Sequence, residues 1–403
     1  DCMDETVALH NNTYFGVPWD WEQPGVSFVS KEGYGVSPLL DLVTPEVLGD
    51  LVLAGSPPWQ PKADTDTVVD VDCSMDKAGG KADPELWLKI IDSLKYGKGA
   101  AHAVVVDVSA CICPMFGNGW DPRQDLKADA VFLLHGDQNY SPASPHTRIN
   151  HIAEARTRVP CIRRDGNFSK FATDAEAFNA LANSPHMLGM YFTQTPPISH
   201  EKVFLAPLGA DSWEWVPNLR PHLRPDSPSR SSSRAALYGV GHNLAIDYRK
   251  DVFHAVQANF APEPLRVRYL PWASGSRMES IATECMSAVF GQSPIGIGEN
   301  CFRHSELLLA GAIPVAQASL GVAAFRYFPH LAVSSWTEVT PELLKRAYKR
   351  IWREVASGSY SFAPLTNRFW CEHITNTSLH LPIDPFYAKF PNPPVTCPSW
   401  ECV

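Results

Sequence analysis

The order of hydrophobic and polar positions divides the chain into short apolar runs and longer helical stretches. The apolar runs are rich in Val, Ile, Leu and Phe and are bounded by polar or glycine-containing segments, as buried parallel strands are. Because strands alternate with helices, the pattern predicts the α/β class with parallel sheets. Strands are predicted near residues 103–108, 130–134, 187–192, 202–209, 235–238, 265–270, 312–316 and 331–333, and helices near residues 84–94, 174–182, 249–258, 278–290, 301–310 and 340–352.

A shift in composition marks the predicted domain boundary. Residues 216–234 are dense in Pro, Ser and Arg, which is typical of a solvated hinge, with a phosphorylated or basic recognition tail as the alternative. Residues 1–60 are rich in Trp, Pro and Gly, and we expect an irregular region there. We therefore expect an N-terminal α/β domain over residues 1–225, a C-terminal α/β domain over 235–360, and a tail over 361–403 that crosses back to the first domain.

Length and charge narrow the class of protein. The chain has 403 residues, of which 45% are hydrophobic, so two domains are the default expectation. The net charge of −9, with no compensating block of Lys and Arg, argues against a non-specific nucleic-acid binder. No apolar run reaches the roughly 18 residues of a membrane span. Because the chain begins at Asp1 rather than Met, we expect a further segment upstream, which would hold any membrane anchor.

Cysteines and glycosylation motifs predict the compartment. Ten cysteines, an even number, fit disulfide bonds in an oxidising lumen, although the sequence does not pair them. Four Asn-x-Ser/Thr motifs begin at Asn11, Asn139, Asn167 and Asn376. Together they predict a disulfide-bonded glycoprotein of the secretory pathway lumen, in the Golgi or the ER. A cytosolic protein with reduced, buried thiols is the alternative.

Two Asp-x-Asp motifs, Asp64/Asp66 and Asp70/Asp72, raise the question of a metal. Such a pair can hold a divalent cation on a nucleotide diphosphate. The motif is also common by chance beside solvent-facing turns. We expect no metal site here, and the Cys-x-Cys at Cys111 lacks the second cysteine pair of a zinc site.

The stretch Ser293–Ser319 has the highest concentration of candidate ligand-binding residues in the sequence. A loop with spaced glycines precedes Arg303 and Glu306, which a helix starting near Cys301 would place on one face near its N-terminus. Gly311 would end that helix. A glycine loop, a cation and a carboxylate at a helix N-terminus form a plausible cradle for a phosphorylated, ribose-bearing ligand. The alternative is a surface ion pair at positions i and i+3.

This stretch and the segments around it resemble the exostosin-like glycosyltransferases. The segments are SPIGIGENCFRHSELLLAGAIPVAQAS and FPHLAVSSWTEVTPELL in the second half, with FLLHGDQNYSP, MYFTQ and HEKVFLAPLG in the first. The resemblance implies the GT-B fold, in which two Rossmann-like domains face each other across a cleft. It implies that the C-terminal domain binds a nucleotide-sugar donor and that the N-terminal domain receives the acceptor.

The resemblance also implies roles for residues of the donor site. Glu306 would bind the ribose hydroxyls, and Arg303 would neutralise the diphosphate leaving group. Glu299 lies seven residues before Glu306, whereas the paired glutamates of retaining GT-B enzymes are eight apart, so retention or inversion stays open. The full predicted donor site is Gly239, Gly241, Arg249, Ser293, Gly296, Gly298, Arg303 and Glu306.

An inverting enzyme needs a general base near the attacking hydroxyl. Asp137 is the first candidate, with His135 beside it at the end of a predicted strand, and His242 is the second possibility. Asp137 as a loop cap over a packed His135 is the structural alternative. Asp20 and His10 are weaker candidates for acceptor contacts.

The sequence therefore predicts a hexosyl- or pentosyltransferase that moves a sugar from a nucleotide diphosphate, UDP favoured, to a glycan or glycoprotein. No metal or other cofactor is expected to be required. A non-catalytic glycan-binding protein of the same fold is the alternative. A dinucleotide-dependent oxidoreductase is disfavoured because no Gly-x-Gly-x-x-Gly motif opens a helix: Leu244 stands at the third position after Gly239 and Gly241.

Overall fold

The computed structural model divides the chain into two compact units. Unit 1 consists of Asp1–Gly16, Pro57–Ala206 and Asn367–Cys397, and unit 2 consists of Val17–Ser56, Pro207–Thr366 and Pro398–Val403. The structure describes residues 13–14, 17–18, 25–29, 36–54, 91–92, 94, 103–108, 112–134, 170–194, 196–211, 215–224, 226–240, 247–260, 265–268, 285–295, 300–318 and 322–382.

Strands and helices alternate along the described residues. The strands are β1 Thr13–Tyr14, β2 Val17–Pro18, β3 Gly25–Val29, β4 Leu53–Ala54, β5 Val104–Asp107, β6 Ala130–Leu134, β7 Met187–Phe192, β8 Val203–Leu205, β9 Ala210–Asp211, β10 Ala236–Gly239, β11 Leu265–Arg268, β12 Ala288–Gln292, β13 Ile313–Gln317 and β14 Leu331–Val333. The α-helices are α1 Pro45–Gly49, α2 Ile112–Gly117, α3 Pro122–Asp125, α4 Asp174–Ala182, α5 Trp215–Leu223, α6 Pro228–Ser231, α7 Asp247–Phe260, α8 Phe302–Leu309, α9 Pro341–Ala356 and α10 Asn367–Ser378, and 3₁₀ turns cover Pro38–Leu42, Val322–Phe325, Trp336–Glu338 and Ala363–Leu365.

Unit 1 is built on a four-stranded parallel sheet of order β5-β6-β7-β8. Its strands are almost continuously buried, as the apolar runs predict. Helix α10 packs on β6 and β7. Its buried Trp370 and Ile374 cover the sheet, and Tyr191 of β7 bonds to His373 and Thr377 across the contact.

Unit 2 has a six-stranded sheet of order β11-β3-β10-β12-β13-β14. Strands β10, β12, β13 and β14 run parallel, while β3 pairs antiparallel with both β10 and β11. Each unit thus contains four adjacent parallel strands, so the predicted α/β class with parallel sheets is confirmed. The arrangement is compatible with two Rossmann-like domains.

Four local predictions from the sequence were wrong in part. Residues 1–60 are not uniformly irregular, because β3 lies inside the unit 2 sheet; strand pairing orders this segment where no hydrophobic period announced it. Of the helix predicted over 278–290, residues 285–287 are helical, but residues 288–290 belong to strand β12, and residues 278–284 lie outside the described residues. The predicted hinge at 216–234 contains helices α5 and α6. Helix α9 begins at Thr340 and Pro341 as predicted but continues to Ala356 instead of ending at residue 352.

Arginines explain why the Pro- and Ser-rich stretch is ordered. Arg230 donates to the carbonyl oxygens of Leu40, Val43 and Leu223. Arg234, at the end of the stretch, is fully buried. Each guanidinium satisfies several backbone acceptors at once, which a hinge prediction from composition does not consider. Among the described residues, no helix is both long enough and apolar enough to cross a membrane.

Candidate functional site

The candidate site lies at the carboxyl ends of β10 and β12 in unit 2. From β10 the chain passes through α7 to β11 on one side of β10, and then returns to β12 on the other side. The direction of winding therefore reverses between β10 and β12. Parallel α/β sheets bind ligands at such switch points, at the carboxyl ends of the strands.

Ser293 continues the line of β12 at this edge. Its amide donates to the carbonyl oxygen of Val315 at 2.9 Å, so the residue stays paired beside β13 after the strand has ended. Its hydroxyl lies 2.9 Å from Nδ1 of His304 on helix α8. Ser293 is buried. The first residue after β12 is thus held by both a strand and a helix.

Gly291 on β12 sets how closely α8 approaches the sheet. A Cβ atom at Gly291 would lie 2.1 Å from Cδ2 and 2.8 Å from Cδ1 of Leu307. Leu307 is buried, so it occupies the space that any other residue at position 291 would need. The absence of a side chain on the strand therefore positions the helix that carries Arg303 and Glu306.

The far end of α8 is fixed by Arg234. Its Nη2 donates to the carbonyl oxygen of Ala310, the residue that caps α8, at 2.7 Å, and its Nη1 donates to the carbonyl oxygens of Cys285 and Met286. Burial lowers the pKa of Arg234 to about 10, so the guanidinium stays charged at neutral pH. A cation at a helix C-terminus is favourable. Gly311 ends α8 with φ +73°, as the sequence predicts.

Arg303 and Glu306 form an ion pair on α8, with 3.0 Å between Nη1 and Oε2. The side chains are 13% and 1% exposed, respectively, so the pair is largely buried and is not the surface ion pair of the alternative interpretation. Burial alone would lower the pKa of Arg303. The charge of Glu306, supported by the cysteines at 285 and 301, outweighs burial and raises that pKa, so Arg303 remains a cation.

Arg249, in the first turns of α7, reaches the same edge. Its Nε donates to the carbonyl oxygen of Ile295 in the loop after β12 at 3.4 Å. Burial raises the pKa of the Cys301 thiol, and the charges of Arg249 and Arg303 both act against that rise. Two arginines from different helices therefore act on one cysteine at the start of α8. With the carboxylate of Glu306 counted, these side chains carry a net positive charge at the N-terminus of α8, where an anion is favourable.

His304 lies between the loop and the helix. Besides the Ser293 contact, its Nδ1 is 3.2 Å from the carbonyl oxygen of Cys301, and its ring stacks on Phe325 at a centroid distance of 4.5 Å. Burial lowers the pKa of His304 to about 3, so the imidazole is neutral. Nε2 of His304 and Oγ of Ser305 have no hydrogen-bond partner among the described residues. Buried polar atoms of this kind are uncommon in native proteins, and a bound group can supply the missing partner.

The structure brings together part of the predicted donor site. Gly239 is the last residue of β10, and a Cβ atom at this position would lie 3.1 Å from Cβ of Ala288. Arg249, Ser293, Arg303 and Glu306 converge at the carboxyl edge as described above. The other predicted site residues lie outside the described residues: Gly241, Gly296 and Gly298 of the donor site, Asp137, His135 and His242 as candidate bases, Glu299, Asp20, His10, and the four aspartates of the Asp-x-Asp motifs.

Sequence reasoning missed three residues that build this site: His304, Gly291 and Arg234. His304 could have been predicted from the sequence, because it lies between Arg303 and Glu306, which are both predicted site residues. Gly291 stands in an apolar run, where a glycine often marks a close approach. Within the described ranges, no cluster of three or more His, Cys, Asp or Glu side chains could hold a metal ion.

No protein-family model matches this chain, and no curated protein matches it.

Proposed function

We propose that the chain is a GT-B glycosyltransferase of the exostosin-like type, using a nucleotide diphosphate sugar, UDP favoured, as donor. The observation that carries the proposal is the convergence of Arg249, Ser293 and Arg303 at the carboxyl edge of β10 and β12. A diphosphate bound there would meet two guanidinium groups, a hydroxyl and the N-terminus of α8. These are the groups that bind phosphates in proteins.

The chemistry assigned to the site is stabilisation of the leaving group. When an acceptor hydroxyl attacks the anomeric carbon, the bond to the diphosphate oxygen breaks, and negative charge collects on that oxygen. Fixed cations lower the energy of this charge without a metal ion. We assign this role to Arg303 and Arg249, and we expect donor binding to persist in a chelator.

We assign Glu306 to the ribose hydroxyls, with Arg303 as its partner when the site is empty. Because the Glu306 side chain is only 1% exposed, a ribose can reach its carboxylate only if the residues that cover the ion pair move. The general base is Asp137, His135 or His242, and the acceptor is a glycan or glycoprotein. The compartment in this proposal is the secretory lumen, for example as the lumenal domain of a type II membrane protein.

The test is titration of UDP and GDP, followed by a thermal-shift panel of nucleotide sugars. A ligand at about 100 times its Kd should stabilise the protein by roughly 2.7 kcal/mol. Arg249→Gln should weaken binding of the preferred nucleotide about tenfold or more, because a charge-assisted hydrogen bond contributes about 1.5–3 kcal/mol. Arg303→Lys keeps a cation beside Glu306 but removes the fork, and should weaken binding several-fold. Arg303→Ala is unsuitable because an uncompensated buried carboxylate costs about 3–5 kcal/mol.

Arg224→Gln is the matched control, since Arg224 is an exposed arginine of unit 2 and belongs to none of the predicted site residues. Its nucleotide affinity should stay within twofold of the wild type. The donor-site assignment fails if no nucleotide binds, or if Arg249→Gln behaves like the control. Nucleotide binding without transfer or hydrolysis of any sugar, together with binding of an oligosaccharide, would favour the non-catalytic glycan-binding alternative.

A further inference from the structure

Helix α9 has an exposed face that consists of cations alone. Every exposed residue within 345–353 is a lysine or an arginine, on a chain whose net charge is −9. No salt bridge joins these side chains to another residue that the structure describes. We name this surface the α9 basic face; it consists of Lys345, Arg346, Lys349, Arg350 and Arg353.

The cations of the α9 basic face are spread over a width as well as a length of the helix. Lys345, Lys349 and Arg353 follow one another at four-residue intervals, and Arg346 and Arg350 form a second row beside them. At about 1.5 Å and about 100° per residue, the face is about 12 Å long and takes up about 140° of the helix circumference. The opposite side of α9 is buried in unit 2 through Pro341, Leu344, Ala347, Ile351 and Val355.

A flat anionic surface reaches more of these cations than a linear polymer does. A strand that lies along one row meets three of them, whereas a plane faces about half of the helix circumference and therefore both rows. Lysine and arginine have long stems, so charges at the sides of the face can extend towards the same plane. Clusters of about four to eight cations on a helix are typical of sites for anionic lipid headgroups.

Two aromatic residues border the α9 basic face on the side of Lys345 and Lys349. Tyr348 and Trp352 are four residues apart, and their ring centroids are 4.2 Å apart. Both side chains are half-buried, so part of each ring is exposed to solvent. Tyrosine and tryptophan are enriched at the level of lipid headgroups, because their rings suit both the apolar and the polar layer there.

The charge of the rest of the chain favours one orientation on such a surface. Because the chain as a whole is acidic, an anionic surface repels most of the molecule and attracts this face. The attraction acts within a Debye length of about 8 Å, close to the reach of the side chains. Of the carboxylates on α9, Glu342 precedes the face in the first turn, and Glu354 is half-buried and accepts a hydrogen bond from Tyr360 at 2.7 Å.

We propose that the α9 basic face docks unit 2 on an anionic phospholipid membrane. The contact is made with the headgroups, because the apolar side of α9 is already buried in the protein and no apolar face is left to enter the lipid. The face shares no residue with the nucleotide site at β10 and β12, and docking requires no nucleotide. This proposal and the proposed function therefore fail separately.

The experiment measures co-sedimentation of the full chain, without nucleotide, with vesicles of phosphatidylcholine alone and with vesicles of equimolar phosphatidylcholine and phosphatidylserine. The chain should bind the mixed vesicles and not the neutral ones, and binding should fall as the salt concentration rises. The triple variant Lys345→Gln, Lys349→Gln, Arg353→Gln should weaken binding at least tenfold and flatten its salt dependence, because each cation near an anionic membrane raises affinity about fivefold.

The matched control is the triple variant Lys127→Gln, Lys170→Gln, Arg224→Gln. It removes the same charge from exposed positions elsewhere and should change vesicle binding less than twofold. Glutamine has a helix propensity close to that of lysine and arginine, so α9 should persist in the first triple variant, which circular dichroism checks. UDP affinity should be the same in both triple variants.

Trp352→Leu separates headgroup contact by the aromatic ring from attraction between charges. It should weaken vesicle binding several-fold at every salt concentration and leave the salt dependence unchanged, whereas Trp352→Tyr should retain binding. The proposal is overturned if the mixed vesicles do not bind or if the control triple weakens binding as much as the α9 triple. It is also overturned if poly-uridylate or an acidic polysaccharide binds more tightly than the mixed vesicles through the same cations.

Discussion

Each unit packs a helix on its parallel sheet above a strand glycine, and the two contacts differ in how tightly they close. In unit 2, a Cβ atom at Gly291 would lie 2.1 Å from the nearest atom of Leu307 on α8. In unit 1, a Cβ atom at Gly189 would lie 3.0 Å from Cγ2 of Thr377 on α10 and 3.1 Å from the ring of Phe204. The strand glycine of unit 2 thus permits a much closer contact between strand and helix than the strand glycine of unit 1, and the helix it contacts is the one that carries the candidate site.

The polar groups beneath the two helices differ as well. Under α10, the hydroxyl of Tyr191 lies 2.5 Å from Nδ1 of His373 and 2.8 Å from Oγ1 of Thr377, and Thr377 donates to the carbonyl oxygen of His373. Under α8, the hydroxyl of Ser293 lies 2.9 Å from Nδ1 of His304, and that nitrogen is also 3.2 Å from the carbonyl oxygen of Cys301. The hydroxyl of Tyr191 thus joins two side chains of α10, whereas the hydroxyl of Ser293 contacts one side chain of α8 that has a second acceptor beside it, and larger polar networks fix a helix contact more firmly. Three predictions test this difference.

The largest expected effect is on the glycine contacts. Gly291→Ala should lower the free energy of unfolding by about 2–3 kcal/mol, because Leu307 is buried and overpacking typically costs about 1–3 kcal/mol. Gly189→Ala should cost about 1 kcal/mol or less, since its contacts need to give by only a few tenths of an ångström. Chemical denaturation monitored by Trp fluorescence measures both, and nucleotide titration should show a loss for Gly291→Ala alone.

The double variant Gly291→Ala, Leu307→Ala provides the control for this mechanism. Leu307→Ala removes the atoms that collide, so Gly291→Ala should cost less in that background, with a coupling of about 0.5–3 kcal/mol. Additive effects would mean that Gly291 acts through its backbone, and equal costs at positions 189 and 291 would remove the contrast between the two contacts.

The second prediction concerns pH. His304 has a folded-state pKa of about 3, below its usual value of 6.5. The unfolded chain therefore takes up the proton first, and stability is complete above pH 6.5 and falls as the pH drops from 6.5 towards 3. Between pH 7.5 and pH 5 the loss should be about 2 kcal/mol. Hydrogen exchange should show this acid sensitivity in unit 2.

His304→Asn should flatten that pH dependence, because asparagine does not titrate and can still bond to Ser293. Burial also lowers the pKa of His330, whose Nδ1 is 3.0 Å from the carbonyl oxygen of Phe328. His330→Asn should remove a smaller part of the dependence because His330 is partly exposed. An unchanged pH profile in His304→Asn would contradict a neutral, buried His304.

The sequence predicted those parts of the fold that depend on hydrophobic periodicity and local capping. The apolar runs at β5, β6, β7 and β10 became buried parallel strands, and Thr340 with Pro341 began α9 as expected. The placement of β3 in the unit 2 sheet depends on pairing with β10, which lies about 200 residues later in the chain. Long-range pairing of this kind leaves no local signal.

The candidate site, too, could be predicted from the sequence only where it depends on local spacing. Spacing alone placed Arg303 beside Glu306, because residues three apart share a helix face. The burial of that pair could not be predicted, since it depends on Gly291 allowing α8 onto the sheet and on Arg234 fixing the end of α8. Both residues act across long sequence separations. The composition around Arg234 instead predicts a hinge.

The smallest expected effect compares the two hydroxyl groups beneath the helices. Tyr191→Phe should lower the free energy of unfolding by about 1–2 kcal/mol, because it leaves buried polar groups of His373 and Thr377 without the hydroxyl they share. Ser293→Ala should cost about 1 kcal/mol or less, as the carbonyl oxygen of Cys301 remains 3.2 Å from His304. Nucleotide affinity should change in the opposite order, with a several-fold loss in Ser293→Ala and none in Tyr191→Phe. A larger stability loss for Ser293→Ala, with affinity unchanged, would make the α8 contact structural and move the ligand site away from it.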